Sequence, residues 1–216
     1  MTFLRARKKE QKSIRRQEIV DITAELYEKI GYDKVTFSKI AEHFSISRNS
    51  LYNYFGCKED IFLLIILQDV EGLVIDAEKT FVSEIKDKNE FIRLWAELMM
   101  RHQRMMTLLG IVNTIILRDA SDDAHELYRK KLWELFKRLA KTVQLALPYL
   151  TQETALRFLD YENTYAMAIY PASVEYKIAQ KIKVFPATGY GISEFIPNYT
   201  KYLKIILNSL LDSYKK

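Results

Sequence analysis

Three consecutive polar residues carry the most informative chemistry in the sequence. Arg48, Asn49 and Ser50 lie within SISRNSLYNYF, residues 45–55. An arginine guanidinium matches the acceptors of guanine, an asparagine amide matches adenine, and a serine hydroxyl bonds to a base or a phosphate. Side chains of these types, placed side by side, are typical of a surface that reads double-stranded DNA.

Helical spacing separates these polar side chains from apolar ones. With Ser47 as N-cap, Leu51 and Phe55 are four residues apart and share a face that we expect to be buried. The opposite, exposed face carries pairs at the same spacing, namely Arg48 with Tyr52 and Asn49 with Asn53. The alternative is an ordinary solvated amphipathic helix, because short polar helices are common.

A second short helix is predicted just before this one. Thr36 is its expected N-cap, and apolar residues follow at helical spacing, namely Phe37, Ile40, Ala41 and Phe44. Two short helices in succession predict a helix-turn-helix, whose second member presents its N-terminal residues to the major groove. We predict a first helix over about residues 13–30, ended by Gly31, and a long fourth helix from Lys58 to about Phe81.

The rest of the chain also predicts helices, which makes the expected fold class all-α. No proline precedes Pro148, and apolar residues recur at helical spacing almost throughout. We expect a helical stripe over 90–109, a buried central segment over 111–117, and a helix from Asp122 that ends before Pro148. Two further helices are predicted around a loop over 183–198: one over 152–183, kinked or split at Pro171, and one from Pro197 to about Ser213.

Positive charge is concentrated in the N-terminal quarter. Residues 1–58 contain 12 Lys or Arg and 7 Asp or Glu, whereas residues 59–216 contain 21 of each. Basic side chains opposite phosphates release condensed counterions, so this distribution favours a polyanionic partner, although a solvated basic tail also fits. Two roles stay open for the first basic residues, an arm in the minor groove or a disordered tail: Arg5, Arg7, Lys8 and Lys9.

Several classes of protein are disfavoured. Cys57 is the single cysteine and the three histidines are scattered, so neither an intramolecular disulfide nor a metal site is expected. We find no Gly-rich phosphate loop and no spaced nucleophile and base, and therefore expect neither an enzyme nor a bound cofactor. With no apolar run of about 18 residues and no signal peptide, we expect a soluble cytoplasmic protein without a membrane partner.

A set of motifs in about the first 65 residues is shared with a known family. They are Gly31-Tyr32, Val35-Thr36, Ile40-Ala41, the run Ser47 to Phe55, and Lys58 to Ile61. This pattern resembles the TetR family of bacterial transcriptional regulators. The resemblance implies an N-terminal three-helix DNA-binding domain over residues 1–57, joined by a long helix to an all-helical effector-binding and dimerization domain over 58–216. The sequence departs from the family at Ser45 and Asn49, where glycine is favoured, and at Cys57, where a better N-cap is expected.

The resemblance implies DNA contacts to bases or phosphates from nine residues. They are Thr36, Ser47, Arg48, Asn49, Ser50, Tyr52, Asn53, Tyr54 and Lys58. It further implies a homodimer formed through the last two helices, which would bind a palindromic operator and be released from it by a small, hydrophobic effector. The alternative function is a nucleoid-associated or architectural DNA-binding protein of the same fold without an inducer.

The middle of the predicted effector-binding and dimerization domain contains candidates for an effector pocket. Large or polar side chains lie within its apolar stripes, namely Trp95, Met99, His102, Met106, Asn113 and Tyr165. In the family this region encloses the inducer, and such side chains suit a hydrophobic or aromatic molecule. The alternative is core packing, in which methionines fill gaps and a buried asparagine bonds to a carbonyl. A soft metal at His102 and its neighbouring methionines is a further alternative, weakened by the absence of a thiolate.

Overall fold

The computed structural model describes residues 2–175 and 191–212, and every regular element within those ranges is helical. This confirms the all-α fold class. The helices are α1 Thr2–Ile30, α2 Phe37–His43, α3 Arg48–Leu51, α4 Lys58–Thr80, α5 Lys88–Arg101, α6 Gln103–Ile111, α7 Leu117–Asp119, α8 Asp122–Ala146, α9 Gln152–Glu175 and α10 Ile192–Asp212. A 3-10 turn follows α1 and a π-helical turn follows α6, at Tyr32–Lys34 and Val112–Ile116 respectively. Over the described residues, none of these helices has the length and apolar character needed to span a bilayer.

The helices form two compact units. The first comprises Met1–Gln68 and Ile111–Lys131, and the second Asp69–Gly110 and Leu132–Lys216. These units do not coincide with the boundary predicted between residues 57 and 58, because the first unit also includes the beginnings of α4 and α8. The functional division at that boundary stays a prediction.

The first unit is built on the apolar stripes of its helices. α1 packs on α2, and α2 packs on α3, around fully buried Ile19, Ile40 and Leu51. Gly31, with φ 77°, ends α1 as predicted. The helix begins at Thr2, well before the predicted start near Ser13, because residues 2–12 contain neither glycine nor proline and are rich in strong helix formers.

The second unit has an aromatic core. The indole of Trp95 is fully buried, with its ring centroid 5.8 Å from that of Phe81, 5.7 Å from Phe91 and 5.2 Å from Phe158. α10 packs against both α9 and α5 and closes this core.

The structure corrects the prediction for the segments on either side of Gly110. The stripe predicted over 90–109 is divided between α5 and α6, because His102 leaves the helical conformation with φ −112° and ψ 46°. In the segment 111–117, Val112 and Ile116 are buried, but Asn113 is exposed. A helical turn with one buried side cannot bury all its residues, so the prediction of a buried central segment was wrong.

Pro171, predicted to kink or split its helix, and Pro197, predicted to begin one, both lie inside helices. α9 continues through Pro171 to Glu175, and α10 begins at Ile192, before Pro197. Near the start of α10 the Phe195 ring packs on α9, with 5.2 Å between its centroid and that of Tyr170. Residues 176–190 lie outside the described residues, and with them the end of the helix predicted over 152–183 and part of the loop predicted over 183–198. Ser213, the predicted end of the last helix, also lies outside them.

Candidate nucleic-acid interface

Caps and one strained residue fix the predicted helix-turn-helix. The Thr36 hydroxyl accepts a 3.3 Å hydrogen bond from the Lys39 N–H and caps α2, as predicted. Ser45, at the turn, has φ 50°, the left-handed conformation that favours glycine. The Ile46 N–H donates to the Ala41 carbonyl at 3.3 Å and closes the turn. These contacts set the direction in which α3 leaves α2.

α3 exposes its polar side. The Ser47 hydroxyl accepts a 3.2 Å hydrogen bond from the Ser50 N–H, so Ser47 is the N-cap that the sequence predicts. Leu51 is 0% exposed and Phe55 3%, which confirms the predicted anchors. Outside this anchored side, the exposed or half-exposed residues include Arg48, Asn49, Ser50, Tyr52 and Asn53.

Two of the predicted DNA-binding residues contact each other. Arg48 Nη2 donates a 3.1 Å hydrogen bond to the hydroxyl of Tyr52. The Tyr52 ring lies 5.1 Å from that of buried Phe37, while 49% of the tyrosine remains exposed. Packing against α2 therefore holds Tyr52, and Tyr52 in turn positions the Arg48 guanidinium.

Lys58 is held at the N-terminus of α4. Its Nζ donates to the Tyr32 carbonyl at 3.2 Å and lies 4.1 Å from the centroid of the Tyr32 ring. The Tyr32 hydroxyl donates to Glu59 at 2.8 Å, and burial followed by this hydrogen bond raises the pKa of Tyr32. Lys58 thus places a positive charge at the N-terminus of α4, where the helix dipole is also positive. These two positive charges together suit a phosphate.

Two regions of the chain match models of one family. Residues 19–65 match the model of the bacterial regulatory proteins of the tetR family, and residues 67–213 match the tetracyclin repressor-like C-terminal domain. The chain belongs to the TetR family. It is therefore a DNA-binding transcriptional regulator with a helix-turn-helix.

Individual TetR-like proteins are similar at low identity. The nucleoid occlusion factor SlmA of Idiomarina loihiensis is 27% identical over 159 residues, 69% of this chain and 74% of that protein. The fatty acid degradation regulator FadR of Bacillus halodurans aligns over 87% of this chain and 93% of its own, with a TM-score of 0.53 and 14% identity. Thermus thermophilus FadR, a repressor solved with lauroyl-CoA, aligns over 91% and 93%, with a TM-score of 0.53 and 17% identity. The two structures share the fold with this chain.

A residue that sequence analysis missed supports the end of α3 in this TetR-family protein. Arg16 of α1 donates a hydrogen bond to the carbonyl of Tyr54, and its guanidinium lies 4.2 Å from the Phe55 ring centroid. Tyr54 is consequently half-buried, unlike its exposed neighbour Asn53. No local motif signals this contact, because 38 residues separate its partners.

Asp60 is a second missed residue, and it joins three parts of the first unit. Its carboxylate accepts hydrogen bonds from Gly56 N–H at 3.1 Å, from the Cys57 thiol at 3.3 Å, and from both the N–H and hydroxyl of Ser121 at 2.9 Å. Burial alone would raise the pKa of Asp60, but these donors outweigh it and hold the pKa below its usual range. Burial raises the pKa of the Cys57 thiol to about 11, so the thiol is protonated and donates.

The structure assigns the predicted effector residues to both units. Trp95, Met99 and Met106 are fully buried in the second unit, among its core side chains. His102 is half-buried, with Nε2 3.2 Å from an Asp76 carboxylate oxygen; burial lowers the pKa of His102 and Asp76 opposes that shift.

The remaining two candidates differ from each other. Tyr165 stacks on Tyr202 with 4.3 Å between ring centroids, also in the second unit. Asn113 is exposed and belongs to the first unit. Five of the six candidates thus belong to the second unit, and Asn113 does not.

One buried carboxyl group beside these aromatic residues carries no sequence signal. Glu162 of α9 is 2% exposed and accepts a hydrogen bond from the Tyr199 hydroxyl of α10. Burial raises the pKa of Glu162 to about 8, although the hydrogen bond from Tyr199 opposes the shift. The group is therefore mostly protonated at neutral pH.

Proposed function

We propose that this TetR-family regulator is a homodimeric repressor that binds a palindromic operator and leaves it when a small hydrophobic ligand binds. The observation that carries the proposal is the exposed polar side of α3, which begins at a capped Ser47 and is anchored by buried Leu51 and Phe55. Such a helix end fits the major groove and presents hydrogen-bonding groups there.

The proposed contacts divide into base-reading and phosphate-binding ones. Arg48 suits guanine and Asn49 suits adenine, because their side chains match the edges of those bases. Thr36 and Lys58 lie at helix N-termini and suit phosphates. The remaining proposed contacts, to phosphates or neighbouring bases, come from Ser47, Ser50, Tyr52, Asn53 and Tyr54.

Exposed apolar side chains on α9 and α10 support the dimer. Ile205 is 64% exposed, Ile192 48%, Tyr161 44% and Ile196 42%. These large apolar side chains are exposed on two helices that pack against each other, and exposed apolar surface of this kind suits a partner. A second copy gives a two-fold symmetric pair, with two α3 helices about 34–36 Å apart, one turn of DNA.

The aromatic residues of the second unit support a hydrophobic ligand. Trp95 and Tyr165 belong to clusters of aromatic rings, the type of side chain that commonly lines sites for such molecules. Thermus thermophilus FadR, which has the same fold, binds lauroyl-CoA, a ligand with an apolar chain. α4 runs unbroken from Lys58 to Thr80 and contributes to both units, so a ligand that favours one position of α4 shifts the population away from DNA binding.

Genome-wide occupancy in the host bacterium tests this function. A ligand-released repressor is expected at a few palindromic sites beside promoters, with transcription of those genes rising when the regulator is deleted.

The similarity to SlmA favours a second candidate, a nucleoid-associated protein. That candidate predicts many sites dispersed over the chromosome and unchanged transcription beside them.

A further inference from the structure

A cavity lies within the first unit, beside the end of α3. Its volume is about 460 Å³, and it is bounded by α1, the turn after α3, α4 and the first turns of α8. This is the size of cavities that hold small organic molecules, about 300–1,000 Å³. It is separate from the effector residues discussed above, which belong to the second unit except for Asn113.

The charged groups around the cavity leave an excess of negative charge. Two carboxylates, Asp60 and Asp123, line it together with one cation, Arg16. The guanidinium of Arg16 is already engaged by the Tyr54 carbonyl and the Phe55 ring. Asp123 is exposed and has no hydrogen-bond or ion-pair partner among the described residues. A cationic ligand would therefore find an uncompensated charge here, whereas an anion would meet two carboxylates.

A largely buried tyrosine also lines this space. Tyr128 of α8 lines the cavity and is 3% exposed, yet its hydroxyl makes no hydrogen bond within the described part of the chain. Burial raises the pKa of Tyr128 to about 12, so the phenol is neutral at physiological pH. A phenol oxygen that makes no hydrogen bond within the protein accepts readily from an ammonium N–H.

Leucine side chains form an apolar part of the wall. Leu64 and Leu127 line the cavity, and Leu127 is 43% exposed. A molecule seated here would cover part of that leucine surface, which favours a ligand with a hydrophobic body.

We infer that this cavity binds a small amphipathic cation, a protonated amine on an apolar body. The ammonium group pairs with Asp123 and Asp60 and donates to the Tyr128 hydroxyl, while the body lies on Leu64 and Leu127. Because Arg16 and Tyr54 line the same cavity and support the end of α3, an occupant also changes how firmly α3 is held. Ligand binding at this site is a property distinct from DNA binding, and the ligand affinity is measured in the absence of DNA.

Three probes with one body and different charges test the inference. Ligand-observed NMR titrations of the full-length protein at neutral pH would use 2-phenylethylamine, 2-phenylethanol and 3-phenylpropionate. The amine is expected to bind at least several-fold more tightly than the alcohol, and the carboxylate more weakly than either. Equal binding of the three probes, tighter binding of the carboxylate, or no binding of the amine would overturn the inference.

Two variants and a matched control locate the amine. Asp123→Asn is expected to weaken amine binding about threefold to fivefold, as for a partly exposed ion pair. Tyr128→Phe removes the hydroxyl without changing the ring, and about a fivefold loss is expected. Glu126→Gln neutralises an exposed carboxylate of α8 that does not line the cavity, so its affinity should equal the wild type. Equal losses in Asp123→Asn and Glu126→Gln, or unchanged affinity in both cavity variants, would place the amine elsewhere and refute the site.

Discussion

Arg48 donates a hydrogen bond to the hydroxyl of Tyr52, with 3.1 Å between nitrogen and oxygen. The residue proposed to read a base is thus oriented by the residue proposed to hold the DNA backbone. Both are exposed, and the Tyr52 ring is fixed against Phe37. Because this arrangement exists without DNA, less side-chain freedom is lost when α3 enters the groove.

Arg48→Ala and Lys58→Ala are expected to affect DNA binding differently. Loss of a base contact at Arg48 should cost about 1–3 kcal/mol on the preferred site and relax the sequence preference. Loss of a phosphate contact at Lys58 should weaken binding evenly on all sequences and reduce the salt slope by about one. Fluorescence anisotropy with a specific and a random duplex over a range of salt measures both quantities. Lys79→Ala, at the exposed C-terminal end of α4, is the control, and identical behaviour of the Arg48 and Lys58 variants would contradict the division of roles.

Arg16→Ala is expected to lower the free energy of unfolding by about 1.5 kcal/mol, because a charged donor leaves the Tyr54 carbonyl and the Phe55 ring. DNA affinity should fall as well, since the end of α3 loses its support. Urea denaturation and anisotropy measure the two effects. Gln17→Ala changes the next residue of α1, which bonds only to exposed Asp21, and should leave both values close to the wild type. An Arg16 variant with wild-type stability would contradict the supporting role.

Local features of the sequence were sufficient to predict the helix caps and the buried anchors, whereas they did not predict the distant contacts. Thr36, Ser47, Leu51 and Phe55 act through caps and spacing within a few residues, and the structure confirms all four. Asp60 reaches Ser121 across 61 residues of sequence, and such a contact depends on tertiary packing that no local pattern records.

Contacts between distant residues also explain the errors in the predictions for residues 58–216. The residues around Asn113 are apolar enough to suggest a core on all sides, but packing buries one side of the turn. α10 starts before Pro197, and the Phe195 ring near this start contacts Tyr170, a residue of a different helix that no local pattern reveals. The DNA contacts and effector residues themselves stay predictions.

Glu162→Gln is expected to flatten the pH dependence of stability. Burial raises the pKa of Glu162 from 4.5 to about 8, so between these values the folded protein holds a proton that the unfolded chain releases. The contribution of this group is fully present below the unfolded pKa and is lost as the pH rises through about 8, so the free energy of unfolding falls with pH over that interval. Glutamine keeps an acceptor for Tyr199 and does not titrate.

Urea denaturation at several pH values across that interval measures the effect of Glu162→Gln. Glu153→Gln changes an exposed carboxylate of the same helix and should keep the wild-type slope. If Glu162→Gln also keeps the wild-type slope, the claim that the buried Glu162 has a raised pKa is refuted.

Two helical glycines should respond in opposite ways to alanine. A methyl group on Gly110 would lie 2.9 Å from both the Met167 carbonyl oxygen and the Pro171 ring, so Gly110→Ala should destabilise the protein by about 1–3 kcal/mol. At Gly72 the nearest atom is a flexible His102 ring carbon at 3.6 Å, so Gly72→Ala should be neutral or stabilising by up to about 1 kcal/mol. Thermal unfolding compares the two variants, and a Gly110→Ala variant as stable as the wild type would show that α6 and α9 are less closely packed than described.

Ile205→Glu is expected to prevent dimerization. A charge on this exposed residue of α10 would be buried without a partner at the proposed interface. Sedimentation equilibrium should give a dimer for the wild type and a monomer for the variant. Val82→Glu introduces the same charge at a residue that is 68% exposed and outside α9 and α10, and should remain dimeric. A monomeric wild type, or a dimeric Ile205→Glu variant, would contradict the interface.

The paired use of α3 on DNA is tested most directly by selecting binding sites from a random double-stranded library with the full-length protein. Two inverted half-sites are expected, with centres about 10–10.5 base pairs apart or a multiple of that spacing. A guanine that Arg48→Ala no longer selects should occupy the same position in each half-site. Enrichment of a single asymmetric half-site, or of no sequence at all, would contradict the account.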